Sequence, residues 1–235
     1  MISIITLINI LASPRESFVE MKVQPRWAVS FFFMSTIAIG VAFLTAPFSR
    51  ELLRVTLSAV LDEENLEQSL SVMEKSQYLG AFLVPGVLLL KWTAIATILY
   101  LLSIIFGNQE QKFKECFIVV VYSEIILILM SIITVLLLHL KGFDSIHQLT
   151  DLQPVIGLDV LMADKASNLP LFTFLNSVNP FNIWYLAVLS VGFSIMTNFS
   201  KAKSTVLVTT VWLLGVGLQV ASVVLSANLY RLQPG

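Results

Sequence analysis

The chain has 235 residues, of which 57% are hydrophobic and only 12% charged, about half the charged share of an ordinary soluble domain. Fourteen Lys and Arg stand against 15 Asp and Glu, a net charge of −1, so there is no basic footprint for nucleic acid. Cys116 is the one cysteine, which excludes an internal disulfide framework and a Cys-rich metal centre. So apolar a chain cannot cover itself with polar groups, and much of it must have lipid as its solvent.

Residues 1–12 are apolar and stop at Ser13-Pro14. They are too short to span, and without a positive n-region or a small-residue cleavage site they are not read as a removable signal peptide. The expectation is an interfacial helix followed by a second short one over Arg15–Met21, opening at the Ser13-Pro14 start signal. Their hydrophobic faces would rest at the headgroup boundary and steer Arg15, Lys22 and Arg26 toward anionic lipid. Residues 1–26 are therefore taken as a cytoplasmic interfacial segment, and 27–235 as the membrane domain.

Five windows can each cross a ~30 Å hydrocarbon core as a helix. They cover about 27–47, 79–106, 117–140, 181–199 and 205–225. Helix is the expected form throughout, because unpaired backbone groups are too costly in lipid and no barrel-like alternation occurs. Pro85-Gly86 interrupts the second window, which also carries Lys91; the third carries Glu124 and ends near His139. Between the first two, residues 50–77 have helical periodicity, with Leu53, Leu57 and Val60 on one face and Leu66, Leu70 and Met73 on another. They read as two amphipathic helices capping the outer side, with Asp62 a cap between them. Residues 141–180 form the longest loop, rich in aspartate. The fold expected is all-α: a five-transmembrane-helix bundle with interfacial N-terminal helices and an outer helical cap.

Orientation follows from Lys and Arg. With the N-terminus inside, the short loops flanked by Lys112/Lys114 and Lys201/Lys203 are cytoplasmic, and inner segments have the higher basic density. Five spans then place the C-terminus outside.

Several segments resemble the bacterial branch of the Yip (Ypt/Rab-interacting) membrane protein family. They are Ser13-Pro14-Arg15-Glu16-Ser17-Phe18 with Pro25-Arg26-Trp27, Phe113-Lys114-Glu115-Cys116 leading to Val121-Tyr122-Ser123, and the run from Phe174 through Asn176-Ser177-Val178-Asn179-Pro180-Phe181-Asn182 to Trp184. Their order and their coverage of nearly the whole chain carry the likeness. It implies a five-helix domain in the bacterial inner (plasma) membrane, with the N-terminus cytoplasmic and the C-terminus outside. Eukaryotic relatives act with small GTPases through a long cytosolic segment. About 26 residues precede the first span here, so that partner is not carried over.

Lys91 and Glu124 are the charges set inside predicted spans, which makes them functional candidates by default. They lie on consecutive antiparallel spans, about 22 Å and 10 Å from the connecting loop. A flexible lysine stem and a shift at Pro85-Gly86 would shorten that gap. A polar lock between helices is preferred to an ion or proton route, which usually needs a longer chain of ionisable groups. His139, Asp144, His147 and Asp151 lack the spacing of a metal site and read as polar loop residues. Small and hydroxyl residues in the last two spans, Ser190, Gly192 and Ser194 among them, read as helix-packing positions. Trp27, Trp184 and Tyr185 read as interfacial aromatic anchors.

No catalytic triad, phosphate loop or dinucleotide turn is present, so neither an enzyme nor a cofactor is expected. The function expected is a non-enzymatic membrane scaffold or accessory subunit that binds other membrane proteins, self-associates or shapes the bilayer. A small transporter or channel using Lys91 and Glu124 is the alternative.

Overall fold

A computed structural model describes residues 2–23, 27–106, 112–153, 156–165 and 167–232. Among these, every regular element is helical. In chain order they are α1 (Ile2–Asn9), α2 (Pro14–Val23), α3 (Trp27–Leu57), α4 (Glu63–Ile105), α5 (Phe113–Ser123), α6 (Ile125–Lys141), α7 (Leu169–Ser177), α8 (Pro180–Thr197) and α9 (Lys201–Leu232). Three short 3₁₀ turns occupy the loop between α6 and α7. Five helical stretches are long and apolar enough to cross a membrane, with α5 and α6 together forming the third. The protein is an all-α polytopic membrane protein.

The segment 50–77 is helical, as its periodicity predicts, but it does not form separate helices. α3 runs unbroken through Pro47 to Leu57, and α4 starts at Glu63 and continues through Pro85. Pro85, which the sequence reads as an interruption, is thus absorbed within α4, and α3 runs on past Pro47, as membrane helices tolerate proline. At 1.5 Å per residue the 43 residues of α4 measure about 65 Å, roughly twice the hydrocarbon thickness. The charged end of α3 and the acidic start of α4 are therefore extensions of the spans.

The chain divides into two compact units. One holds Met1–Trp27, Trp92–Leu127 and Val155–Gly235; the other holds Ala28–Lys91 and Ile128–Pro154.

In the second unit, α3 and α4 run antiparallel. Phe43 meets the rings of Tyr78 and Phe82 at 5.6 and 6.2 Å. Nearer the turn, Arg50 pairs with Glu74 at 3.7 Å and Arg54 with Glu67 at 3.6 Å. Asp62 Oδ1 accepts the Asn65 N–H at 3.0 Å and so caps α4. A small apolar core of Phe48, Leu138 and Ile146, backed by Leu52 and Leu152, ties the end of α6 and its following loop to α3. Phe48 stacks on Phe143 and meets His139 edge-on.

In the first unit α8 is the hub, packed against α2, α5 and α9. α7 packs on α9 and on the turn at Leu158–Leu161, and α1 packs on α2. α7 lies in what reads as loop in the sequence. Asn168 caps it by accepting the Leu171 N–H at 3.0 Å, and Pro170 follows in its first turn. This is the usual arrangement for starting a helix. α1 is only eight residues long, too short to span. Leu7 and Ile10 are buried, whereas its open side shows Ile5 and Ile8, 51% and 53% exposed, an apolar surface suited to lipid.

Candidate functional site

The most enclosed part of the first unit is α5 and the start of α6. Every residue from Cys116 to Ile126 is at most 8% exposed. A helix apolar all round and buried all round belongs at a core. Glu124, 2% exposed, stands at the junction where α5 ends and α6 begins. Its backbone N–H still donates to Val120 O at 3.2 Å, so the helical path continues past it. α5 packs on α8, and the Glu124 carboxylate is close enough to Tyr185 of α8 to act on it electrostatically.

Tyr185 corrects the sequence reading: it is buried, not an interfacial anchor. Helical phase explains the error, because Tyr185 lies on the same face of α8 as the buried Val188, Leu189 and Gly192. Trp184, one position away, is half-buried. Trp27 meets Phe117 edge-on at 5.2 Å.

Lys91 ends the first of the two segments of the second unit and lies on an exposed face of α4. Arg15 is exposed on α2, and Arg26 lies outside the described residues. Lys22 has a definite role in the protein. Its ammonium donates to Ile195 O at 2.8 Å and to Asn198 Oδ1 at 2.9 Å. Asn198 ends α8 in the left-handed conformation, φ 57°. A lysine there satisfies a carbonyl left over at the helix end and complements its negative dipole. One turn deeper, the ring of Phe18 lies against Gly192, where an added Cβ would come within 2.5 Å of Phe18 Cζ. α2 is thus fastened to α8 by an aromatic ring on a glycine and by a lysine on a helix end.

The loop residues do not converge on a metal. Asp151 Oδ2 accepts the backbone N–H groups of His147 and Gln148, both at 3.0 Å. His139 Nδ1 contacts Val135 O at 2.9 Å. Among the described residues no three His, Cys, Asp or Glu side chains are grouped to hold an ion. Asp159, in the aspartate-rich loop, is fully buried, and its Oδ1 accepts the Gly157 N–H at 2.9 Å. Its neighbours are the start of α8, since Leu158 N–H donates to Val178 O at 3.1 Å. Nothing in local composition distinguishes it from the exposed Asp144 and Asp164.

Residues 8–222 match the Yip1 domain family. The chain belongs to that family. No curated protein and no solved structure matches it.

Within this Yip1 domain, the segments that carried the resemblance are devices of local structure. In Asn176-Ser177-Val178-Asn179-Pro180-Phe181-Asn182, Asn179 caps α8 by accepting the Asn182 N–H at 2.9 Å. Its amide donates to Asn176 O, and the Asn182 amide to Ser177 O, both at 2.8 Å. Pro180 takes the first helical position, where its missing N–H costs nothing. The turn between α7 and α8 is thereby locked by side chains. In Phe113-Lys114-Glu115-Cys116, Glu115 accepts the Lys112 N–H at 3.4 Å at the start of α5, while Cys116, Tyr122 and Ser123 are buried. The Ser13-Pro14 pair opens α2, and Phe18 of the same segment is the ring on Gly192.

Proposed function

We propose that this Yip1-domain protein is a non-enzymatic scaffold or accessory subunit of the bacterial inner membrane, oriented with its N-terminus in the cytoplasm and its C-terminus outside. It would hold other membrane proteins, or a second copy of itself, within the bilayer. The observation that carries this reading is the continuous burial from Cys116 to Ile126. A transport route needs water or substrate to reach the intramembrane charge, and Glu124 is enclosed in packed side chains. The bacterial and topological parts rest on the sequence likeness and on the short basic loops. No small-GTPase partner is included.

Thiol accessibility tests the packed centre. In a Cys116→Ala background, Ser123→Cys and Glu124→Cys are exposed to a charged, water-soluble thiol reagent in intact vesicles. The scaffold reading expects both to stay unlabelled until the protein is denatured. Rapid labelling from either side would favour a hydrated pathway and the transport reading. For topology, a reporter fused after Gly235 should be active only outside the cytoplasm, and one inserted at 108–110 only inside.

A further inference from the structure

A groove of about 390 Å³ lies between α8 and α9, lined by Ile183, Leu186, Ala187, Ser190, Val191, Lys201 and Thr205. Its α8 wall is one helical face, and from Ile183 to Val191 it extends about 12 Å along the axis. The lining is mostly apolar, with three polar residues, of which Thr205 donates to Lys201 O at 3.0 Å. Lys201, exposed, opens α9 at one end of the groove, where the positive end of the helix dipole also lies. Ser190 is 6% exposed, and its Oγ has no hydrogen-bond partner among the described residues. A buried hydroxyl normally finds a partner, at the least a carbonyl of its own helix. Ser190 instead lines the cleft with its bonding capacity unused.

We propose that this groove is a binding site for one anionic phospholipid, its acyl chain lying along Ile183, Ala187 and Val191 and its phosphate facing Lys201. The shape suits a chain, because the floor is largely apolar and the small side chains of Ala187 and Ser190 leave room along it. The charge suits an anionic headgroup, because an ammonium and a helix N-terminus coincide at a single end. Ser190 supplies a donor to an ester oxygen of the bound lipid. A zwitterionic lipid gains the apolar contacts and also offers a phosphate, but its choline ammonium is repelled by Lys201 and the helix N-terminus. The site is a property of α8 and α9 alone and stands whether or not the chain serves as a scaffold.

Native mass spectrometry of the full chain, released from nanodiscs containing equal phosphatidylglycerol and phosphatidylcholine of identical acyl chains, tests it. One retained phosphatidylglycerol per chain is expected, in preference to phosphatidylcholine. Lys201→Glu should lower that retention by about 5-fold or more, the equivalent of ~1 kcal/mol per lysine at a membrane surface. Ala187→Phe, which fills the floor, should abolish retention of both lipids while the thermal unfolding of Lys201→Glu stays at the wild-type value. Equal retention of the two lipids, or no response to Lys201→Glu, would overturn the proposal. So would a disulfide-linked dimer formed by Ala187→Cys in a Cys116→Ala background, which would assign the groove to a helix of a second copy.

Discussion

Phe18 of α2 lies on Gly192 of α8 so closely that no β-carbon fits between them. An added Cβ would stand 2.5, 2.6 and 2.8 Å from three ring atoms, and the ring is fully buried, so it cannot swing aside into an open space. Gly192→Ala should therefore push α2 off α8, destabilising the protein by about 1–3 kcal/mol as overpacking does. The measurable consequences are a lower unfolding temperature in detergent and faster proteolysis after Arg15 and Lys22. Adding Phe18→Leu to Gly192→Ala should restore part of the loss, which a glycine needed only for backbone freedom would not allow.

Lys22 and Asn198 form the second fastening of the same helix. Asn198 has φ 57°, a conformation that costs a residue with a β-carbon ~1 kcal/mol or more and costs glycine nothing. Asn198→Gly should keep the α8 terminus intact while removing one acceptor for Lys22. Asn198→Val should lose both the acceptor and the turn, and be clearly less stable than the glycine variant. Lys22→Met, which loses both of its bonds to the α8 end, should expose the N-terminal segment to protease more than Asn198→Gly does. A Lys22→Met variant as protected as the wild type would show that the Phe18 contact alone holds α2.

Five spans, the short N-terminal helices and the Asp62 cap were legible because each depends on neighbouring residues: apolar length, Pro14 after Ser13, a carboxylate before a helical period. The errors arose where a local signal was overruled by packing. Pro85-Gly86 reads as an interruption of the second window, yet α4 carries Pro85 inside it. α7 was hidden because nine residues are too few to show a clear period, although Asn168 and Pro170 announce its start. Phe18 against Gly192 and the burial of Asp159 join residues distant in sequence, and no local pattern encodes such pairs. Tyr185 was misplaced by a single position of helical phase.

Gly157 is held as tightly as Gly192, but against backbone. A Cβ there would lie 2.8 Å from Val178 O and 3.1 Å from Asn176 O, and carbonyls in a side-chain-locked turn cannot retreat as a ring can. Gly157→Ala should separate the Asp159 turn from the start of α8, breaking the Leu158 N–H bond to Val178 O. The buried Asp159 carboxylate would then lose its defined surroundings. A loss of about 2 kcal/mol is expected, with new hydrogen exchange at Leu158 and little change in α2. Wild-type exchange at Leu158 in a correctly folded Gly157→Ala protein would contradict this account of the turn.

Glu124 is the acid least able to tolerate isolation, being buried within a stretch otherwise almost wholly apolar. Lys91, its counter-ion in the sequence reading, lies on an exposed face of α4, so the buried carboxylate is tested by itself. A buried polar group that loses its partner costs about 1–3 kcal/mol, more where a charge is involved. Glu124→Leu should therefore lower the unfolding temperature in detergent clearly, whereas Lys91→Met should leave it close to the wild-type value. Glu124→Gln separates charge from shape: it keeps the side-chain volume and one carbonyl, so with Lys91 intact it should fall between wild type and Glu124→Leu. A Glu124→Leu protein as stable as the wild type, or a Lys91→Met protein destabilised as far as Glu124→Leu, would contradict the dependence of the α5 and α8 core on this carboxylate.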